Sequence, residues 1–210
     1  MQSLQLPLEP GNSSDVMEEM SLPDAEIFMT PEFLPTTEAD HYYHSLLLQT
    51  PWRQDQLNFG GKAIPIPRLQ AWYGDKDSRY GYSGLALSPL PWTPLLEELK
   101  HRIEQCSSGE FNSVLLNYYR TGQDSVAWHS DDEKELGHDP VIASLSLGAT
   151  RRFELKHRFK KNIKAFCDLS HGSLIVMGKG VQQNWQHQIP KQPGSEGARI
   201  NLTFRRIIKA

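Results

Sequence analysis

The chain has 210 residues, of which 38% are hydrophobic and 22% charged, and a formal net charge of −3. This length and apolar content suit one packed globular domain with a sizeable core. Only two cysteines are present, which excludes a zinc cluster built from cysteines, and no apolar run is long enough for a signal peptide or a membrane span. We therefore expect a soluble intracellular monomer without membrane contacts, cytoplasmic in a prokaryote and nuclear in a eukaryote.

Acidic and basic residues are unevenly distributed along the chain. Residues 1–40 contain nine of the 25 acidic residues and none of the 22 basic ones, so the remainder carries 22 bases against 16 acids, a net charge of +6. Part of this excess lies in a run with one acid, Glu154, among seven bases: Arg151, Arg152, Lys156, Arg158, Lys160, Lys161 and Lys164. Taken alone, the run favours a solvated hairpin. Beside a catalytic centre it is a candidate phosphate-contacting surface.

The N-terminal part of the chain divides into a tail and a helix. Residues 1–22 are acidic, interspersed with Ser, Pro and Gly, and without hydrophobic period, which predicts a flexible tail. A single domain is expected over residues 23–210. It begins with a short strand after Ala25 and a helix from Ala39 to Gln49, which Thr37 is placed to cap and Pro51 to end.

Residues 57–90 are predicted to form short strands joined by turns. A turn signal at 57–62 places Phe59 beside Gly60, and an aromatic residue at such a turn ordinarily folds back onto the core. If the partner is a nucleic-acid duplex, the same side chain is suited to part a base step. The next stretch reads as a strand that begins at Arg68 and ends at Gly74.

A second helix and a series of strands complete the predicted fold. The helix runs from Pro94 to Cys106, because Thr93 can cap it and Pro94 suits its first position. The strands predicted after Glu110 are 111–119, 126–129, 141–147, 152–157, 173–177, 183–187 and 198–207. A helix-poor half of this kind is typical of a double-stranded β-helix, or jelly roll. We therefore predict a mainly β fold with flanking helices (α+β) and a jelly-roll core over about residues 111–207.

A candidate metal site lies within this region. His129 and Asp131 are two residues apart on a predicted extended segment, so their side chains share one face and can bind one ion from the same side. Such a pair is expected about once by chance in a chain of this composition. His187 offers a second imidazole further along the chain. Two histidines and one carboxylate form the ligand set of many non-haem iron enzymes.

The C-terminal strand predicts an anion site beside the metal. Its polar face carries Arg199, Asn201, Thr203 and Arg205, and its apolar face carries Ile200, Leu202 and Phe204. Two arginines on one side of such a strand are costly unless an anion meets them, and a guanidinium can form paired hydrogen bonds with a carboxylate. We therefore predict a dicarboxylic co-substrate next to the iron, with one arginine at each end.

Five ordered sequence blocks resemble the AlkB family of Fe(II)- and 2-oxoglutarate-dependent dioxygenases, in the branch that acts on alkylated DNA. The blocks are PRLQAWYGD, YGYSGL followed by LSPLPW, FNSVLLNYYRTG, WHSDDE, and HGSLIVM followed by WQH and ARINLTFR. The resemblance covers roughly residues 57–207. It implies that residues 57–90 form a nucleotide-recognition region ahead of the jelly roll.

The resemblance also implies a role for each candidate residue. The implied iron ligands and catalytic centre are His129, Asp131 and His187. The implied 2-oxoglutarate contacts are Asn117, Tyr119, Arg199, Asn201, Thr203 and Arg205. The implied substrate contacts are Phe59, Gly60, Arg68, Tyr80, Tyr82, Ser83 and Asp132. Among these, Asp132 would accept from the exocyclic amine of the base and Tyr82 would stack over it; without the resemblance, Asp132 and Glu133 read as a solvated turn.

The implied reaction is demethylation of N-alkylated bases, such as 1-methyladenine and 3-methylcytosine, in DNA. Fe(II) is the implied cofactor, 2-oxoglutarate and O2 are the co-substrates, and formaldehyde, succinate and CO2 are released. A methyl group on the Watson–Crick edge is reached only in an unpaired or flipped nucleotide. The alternatives are the same chemistry on RNA, tRNA, a protein or a small molecule, and a non-catalytic jelly-roll binding module.

Overall fold

Two β-sheets form the frame of the molecule, and two helices pack on the larger sheet. The computed structural model describes residues 4–5, 17–78, 80–82, 85–194 and 197–208. The helices are α1 (Thr36–Gln49), α2 (Pro94–Cys106) and the single turn α3 (Val181–Asn184), with a 3-10 turn at Lys134–Leu136. None of the helices in this part of the chain has the length and apolar character needed to cross a bilayer.

The strands, numbered in chain order, form two larger sheets and two hairpins. The seven-stranded sheet contains, in spatial order, β2 (Glu18–Glu19), β3 (Ile27–Thr30), β14 (Leu174–Met177), β11 (Ile142–Gly148), β16 (Arg199–Arg205), β9 (Ser113–Tyr119) and β6 (Leu69–Gly74). The five-stranded sheet contains β1 (Leu4–Gln5), β13 (Lys164–Leu169), β12 (Arg151–His157), β15 (Trp185–Ile189) and β10 (Val126–His129). The hairpins pair β4 (Gln56–Phe59) with β5 (Lys62–Pro65), and β7 (Tyr80–Tyr82) with β8 (Leu85–Leu87).

This architecture confirms the predicted mainly β fold with flanking helices and a jelly-roll core. Strands distant in the sequence lie side by side: β11 lies between β14 and β16, while β12 lies between β13 and β15, all antiparallel. The chain therefore crosses repeatedly between the two sheets. Residues from both sheets, among them Met29, Ile175, Phe153 and Trp185, form one apolar cluster between them.

The alternation of β16 separates the helix-side core from the interior between the sheets. Ile200, Leu202 and Phe204 are fully buried in a cluster with residues of α1 and α2. The polar residues of the same strand therefore point to the other side, between the two sheets, because successive side chains of a strand alternate. This confirms the predicted two-faced strand and directs its arginines into the molecule.

The fold begins earlier in the chain than the sequence predicted. The expected tail covered residues 1–22, but Glu18–Glu19 pairs with β3, and Met20 is only 4% exposed. The side chains of Met17 and Leu22 also pack against the two apolar clusters. Three apolar anchors among acidic neighbours give a low average hydrophobicity, which explains why composition alone predicted a tail up to residue 22.

The two long helices differ in how they begin. The hydroxyl of Thr93 accepts a hydrogen bond from the N–H of Leu96 (3.3 Å), so the predicted cap of α2 is confirmed. In α1, by contrast, the helix already begins at Thr36, after Pro35, and no side-chain hydrogen bond caps it. Thr37 therefore lies inside the first turn, where its hydroxyl is not the cap that the sequence predicted.

The Thr93 cap gives a stability prediction with a control in the same chain. Thr93→Ala should lower the free energy of unfolding by about 1 kcal/mol, because the N–H of Leu96 loses its acceptor. Urea unfolding followed by circular dichroism measures this change. Thr37→Ala is the matched control and should have a much smaller effect; an equal loss in the two variants would contradict the cap assignment.

Candidate metal and co-substrate site

Two histidines and an aspartate converge between the sheets. His129 ends β10, and His187 lies opposite it on the antiparallel strand β15, with the two ring centroids 4.3 Å apart. Asp131 follows β10, and its Oδ1 lies 3.7 Å from Nε2 of His129. One ligand atom from each of the three side chains lies within 4.8 Å of the other two. The three side chains can therefore bind one metal ion together.

Hydrogen bonds fix the orientation of this cluster. Nδ1 of His129 lies 2.8 Å from the carbonyl oxygen of Ala127, so a proton on Nδ1 is donated to that carbonyl and Nε2 is left as the metal-binding nitrogen. The backbone N–H of Asp131 donates to Oε1 of Gln182 on α3 (2.9 Å), a side chain that is itself buried. The loop that carries Asp131 is therefore held against the segment that leads into β15.

The buried environment keeps the two interior ligands in the charge states that bind metals. Burial, together with the neighbouring His129, lowers the pKa of His187 to about 3, so its imidazole is neutral at pH 7. Burial alone would raise the pKa of Asp131, but Arg205 and the two histidines outweigh it and bring the pKa to about 2. A neutral imidazole and an ionised carboxylate are the forms that coordinate a metal ion.

A cavity of about 440 Å³ adjoins the cluster. Its volume lies in the range of small-molecule sites. Its lining includes the three residues of the cluster and residues that the sequence assigned to the co-substrate or the substrate, namely Arg68, Asn117, Tyr119, Arg199, Asn201, Thr203 and Arg205. Residues from four strands (β9, β10, β15 and β16), from the loop after β10 and from the position before β6 are thus brought to one interior space.

Arg199 is a buried cation in this cavity with unpaired donors. It is 1% exposed, its Nη2 donates to Oγ of Ser146 (2.8 Å), and its guanidinium lies 5.2 Å from the ring centroid of Tyr119. Its Nε and Nη1 are buried and have no hydrogen-bond partner among the described residues. Burial lowers the pKa of Arg199 to about 10, which still leaves it charged at pH 7. These two donors fit a carboxylate ligand.

Arg205, at the other end of the same strand, has a different partner. Its Nη2 lies 3.0 Å from Oδ2 of Asp131. The prediction placed one arginine at each end of the co-substrate, whereas the structure pairs Arg205 with the carboxylate of the metal cluster. Strand β16 therefore links the cluster at one end to the buried guanidinium of Arg199 at the other.

A polar network surrounds the cavity and includes residues that the sequence analysis missed. Oδ1 of Asn117 accepts hydrogen bonds from Arg68 Nε and from Gln70 Nε2, each at 2.7 Å. The side-chain amide of Asn201 donates to Oγ of Ser144 (2.7 Å). Ser144 and Ser146 alternate with leucines on β11, which is the signal that could have placed their hydroxyls on the inner face of the strand.

Comparison with known proteins places the site in a family. The model of the 2OG-Fe(II) oxygenase superfamily matches residues 26–205. Over 194 residues the chain is 42% identical to alpha-ketoglutarate-dependent dioxygenase alkB homolog 3 of Mus musculus, and over 155 residues it is 40% identical to DNA oxidative demethylase ALKBH2 of Bos taurus. The chain belongs to the AlkB family of 2OG-Fe(II) oxygenases. This confirms the resemblance seen in the sequence blocks.

The alignments with AlkB relatives differ in how much of each protein they cover. The mouse protein is matched over 87% of this chain and 66% of its own length, and the bovine protein over 70% and 56%. The chain thus spans about two thirds, or less, of the length of these relatives. The solved structure of OsALKBH1 matches 91% of this chain and 100% of its own with a TM-score of 0.62; at 16% identity, this match shows a common fold alone.

The superfamily is named for 2-oxoglutarate (2OG) and Fe(II), and the residues of this site are chemically suited to bind both. Two imidazoles and one carboxylate leave further coordination positions open for co-substrate and O2. Nδ1 of His187 and the Nε and Nη1 atoms of Arg199 are buried polar atoms without a hydrogen-bond partner in the described part of the chain. Such atoms are rare in a complete structure, so they favour a site that is completed by ligands.

The structure does not place Asp132 in the cavity of this AlkB-family chain. Asp132 is exposed, and its carboxylate binds the guanidinium of Arg158 (3.1 Å). The next residue, Glu133, does line the cavity, and its Oε2 is buried without a hydrogen-bond partner among the described residues. The role expected for Asp132 came from the resemblance alone, and strand β10 has already ended at His129.

Four further predicted substrate residues, Phe59, Gly60, Tyr80 and Tyr82, lie in the two hairpins. Phe59 ends β4, and Gly60 opens the β4–β5 turn in a left-handed conformation (φ +58°). Tyr80 and Tyr82 belong to β7, and Ser83 lies outside the described residues. The base of the β4–β5 hairpin lies at the cavity, because Leu57 and Ile66 line it.

The basic run divides between the interior and the surface. Arg151 is 1% exposed, and its guanidinium donates to the carbonyls of Pro190 (2.7 Å) and Asp124 (2.9 Å), so it joins two loops and does not contact solvent. This corrects its assignment to a phosphate-contacting surface. Arg152 is half-buried and pairs with Asp168. Lys156 is half-buried on β12, and the other bases are exposed: Arg158, Lys160 and Lys161 in the β12–β13 turn and Lys164 at the start of β13.

The cluster predicts a selective loss of metal binding. Asp131→Ala should weaken binding of Co²⁺, an air-stable probe of the iron site, by more than about tenfold, because a charged ligand is removed. Isothermal titration calorimetry measures the affinity, and circular dichroism checks the fold. Asp132→Ala is the matched control and should stay within about twofold of wild type. The ligand assignment is wrong if the two variants bind Co²⁺ equally well.

Proposed function

We propose that this chain is an Fe(II)- and 2-oxoglutarate-dependent oxygenase that demethylates N-alkylated bases, such as 1-methyladenine and 3-methylcytosine, in DNA. The observation that carries the proposal is the combination, in one cavity, of the His129–Asp131–His187 cluster with the unpaired donors of Arg199. The names of the relatives agree with it, since they describe a dioxygenase and a DNA oxidative demethylase.

The two ends of the cavity bind different parts of the co-substrate. Arg199 would bind the carboxylate distant from the metal through two parallel hydrogen bonds, and the ring of Tyr119 beside it limits the movement of the guanidinium. His129, Asp131 and His187 would hold the iron. When bound together, iron, 2-oxoglutarate and O2 supply hydroxylation of an N-methyl group, whose product breaks down to formaldehyde and the unmodified base.

Apolar side chains on the walls of the cavity protect this chemistry from water. Phe153, Leu169 and Met177 line the cavity and are almost fully buried between the sheets. A dry interior strengthens the attraction between Arg199 and a carboxylate and keeps reactive species away from solvent. Phe153 also packs against the ring of His187, with centroids 5.2 Å apart, and so holds this ligand in place.

Glu133 is the residue best placed to recognise the methylated base. Its carboxylate lies at the cavity with a buried oxygen that has no partner in the described structure, so it can accept a hydrogen bond from an exocyclic amine. A base methylated on a ring nitrogen carries positive charge, which the carboxylate also attracts. The ring of His129, whose side chain is 35% exposed, offers an aromatic face beside it.

The surface around the site favours a polyanionic substrate over a small metabolite. Residues 41–210 carry 22 bases against 16 acids, a net charge of +6. Arg53 lines the cavity, and the exposed bases of the β12–β13 turn follow β12, the strand that pairs with β15. Phosphate contacts of this kind supply much of the affinity of nucleic-acid enzymes.

Formaldehyde release tests the proposed function directly. With Fe(II) and 2-oxoglutarate, the purified chain should release formaldehyde from DNA oligonucleotides that contain 1-methyladenine or 3-methylcytosine, and release none from unmethylated ones. Glu133→Gln should lower the rate about tenfold or more, because a charged acceptor is lost, whereas Asp132→Asn should have little effect. RNA oligonucleotides of the same sequence test the alternative polymer. Release from none of the methylated DNA oligonucleotides refutes the proposed substrate.

Arg199 should control the requirement for 2-oxoglutarate. Arg199→Lys keeps the positive charge but cannot form two parallel hydrogen bonds, so the 2-oxoglutarate concentration at half-maximal rate should rise about tenfold or more. Arg206→Lys is the matched control, because Arg206 is exposed and pairs with Glu110 away from the cavity. Succinate production at increasing 2-oxoglutarate measures both. An unchanged requirement in Arg199→Lys would place the distal carboxylate elsewhere.

A further inference from the structure

The turn between β12 and β13 presents an exposed aromatic side chain among positive charges. Phe159 is 72% exposed, although Phe153 and Leu155 of the strand before it are buried. Its neighbours Arg158 and Lys160 are exposed as well, and the guanidinium of Arg158 lies 5.8 Å from the Phe159 ring centroid. A single exposed apolar residue is unremarkable by itself. The contacts around Phe159, however, position it to bind a partner.

The backbone of the turn is held in place from inside. Nδ1 of His157 accepts hydrogen bonds from the N–H groups of Phe159 (3.1 Å) and Lys160 (2.9 Å), so the proton of this imidazole is on Nε2. Nε2 lies 3.0 Å from the carboxylate of Asp24, which also pairs with Lys160. The backbone that carries Phe159 is thus held by hydrogen bonds, so less conformational entropy is lost when its ring binds a partner.

The turn is also physically continuous with the cavity. Trp128 lines the cavity, and the ammonium group of Lys156 lies 4.5 Å from its ring centroid. Two residues further along, Arg158 binds the carboxylate of Asp132, which follows the metal-binding Asp131. A row of cationic side chains therefore runs from the edge of the cavity to Phe159.

The described part of the chain neutralises the charge on this turn only in part. No acidic residue occurs between positions 155 and 167. Asp24 and Asp132 pair with Lys160 and Arg158, but Lys161 is exposed and has no ion pair among the described residues. Lys164, at the start of β13, is likewise exposed and without an ion pair in the described part of the chain. A polyanion is the partner that this distribution fits.

We propose that the β12–β13 turn is a strand-binding site, where Phe159 stacks on an unpaired base and Lys156, Lys161 and Lys164 contact the adjoining phosphates. Aromatic faces combined with cations that follow the backbone are how proteins bind single-stranded nucleic acid. Leu155 pairs with His187, and Phe159 follows four residues later, in the turn after the end of this strand. The turn thus lies beyond the strand that borders the metal cluster, so the base stacked on Phe159 is not the base in the cavity.

This inference rests on the proposed function for its substrate, but binding can be measured without turnover. The probe is a fluorescein-labelled DNA 15-mer with one central 1-methyladenine, titrated by fluorescence anisotropy in the absence of O2. Phe159→Ala should weaken binding of the single-stranded probe about tenfold. Phe159→Trp should restore it, because a larger aromatic face is returned. Leu48→Ala removes a side chain that is 84% exposed on α1, far from the basic run in sequence, and should bind like wild type.

Two further measurements separate stacking from charge. Lys161→Gln should reduce the slope of log affinity against log salt by about 0.7, whereas Phe159→Ala should leave the slope unchanged. The loss in Phe159→Ala should be smaller on the fully paired duplex, which offers Phe159 no unpaired base. Equal affinity of Phe159→Ala, Leu48→Ala and wild type for the single strand overturns the inference. Failure of the proposed function is read separately, as absence of formaldehyde release by the wild-type chain.

Discussion

The pairing of β10 with β15 is the constraint on which the site depends. It sets His129 directly opposite His187, so two imidazoles that are far apart in sequence become neighbours on one sheet. A shift of one residue in this register would turn one of them to the opposite face, because side chains alternate along a strand. Two further contacts hold β10 and β15 in this register. Strand β12 pairs with the other edge of β15, and the N–H of Asp131, after β10, donates a hydrogen bond to Gln182, before β15. The jelly-roll fold thus brings His129 and His187 together, and their short separation lets them bind one metal ion.

The second element of the site is charge that the fold buries without fully pairing it. Arg199 lies in the interior with two donors that have no partner among the described residues, and burial of that kind lowers stability. The apolar face of β16 offsets this cost, since Ile200, Leu202 and Phe204 are fully buried in the helix-side core. One strand thus combines an anchor on one side with a recognition surface on the other. Because the two faces alternate residue by residue, both the apolar face and the polar face of β16 can be recognised in the sequence.

The sequence predicted those parts of the molecule that local alternation determines. The faces of β16, the strand ending in His129 and the Thr93 cap could be assigned because each depends on residues close in the chain. The positions of Asp132 at the surface and of Glu133 at the cavity could not, because they lie in the irregular segment after β10, where no local pattern shows which side chain faces inward. Arg151 was misassigned for a related reason: a charge run shows that bases are adjacent in sequence, but only tertiary contacts show which of them faces inward. Gln70 and Gln182 act through residues remote in sequence, so no local pattern marks them.

The bond between Arg205 and Asp131 restricts how that aspartate can act as a ligand. Arg205 engages Oδ2, which leaves Oδ1, the oxygen nearer His129, to face a metal ion. The carboxylate would therefore offer a metal ion one oxygen and not two. Arg205, which is not itself a candidate metal ligand, would in this way leave coordination room for the keto acid and dioxygen.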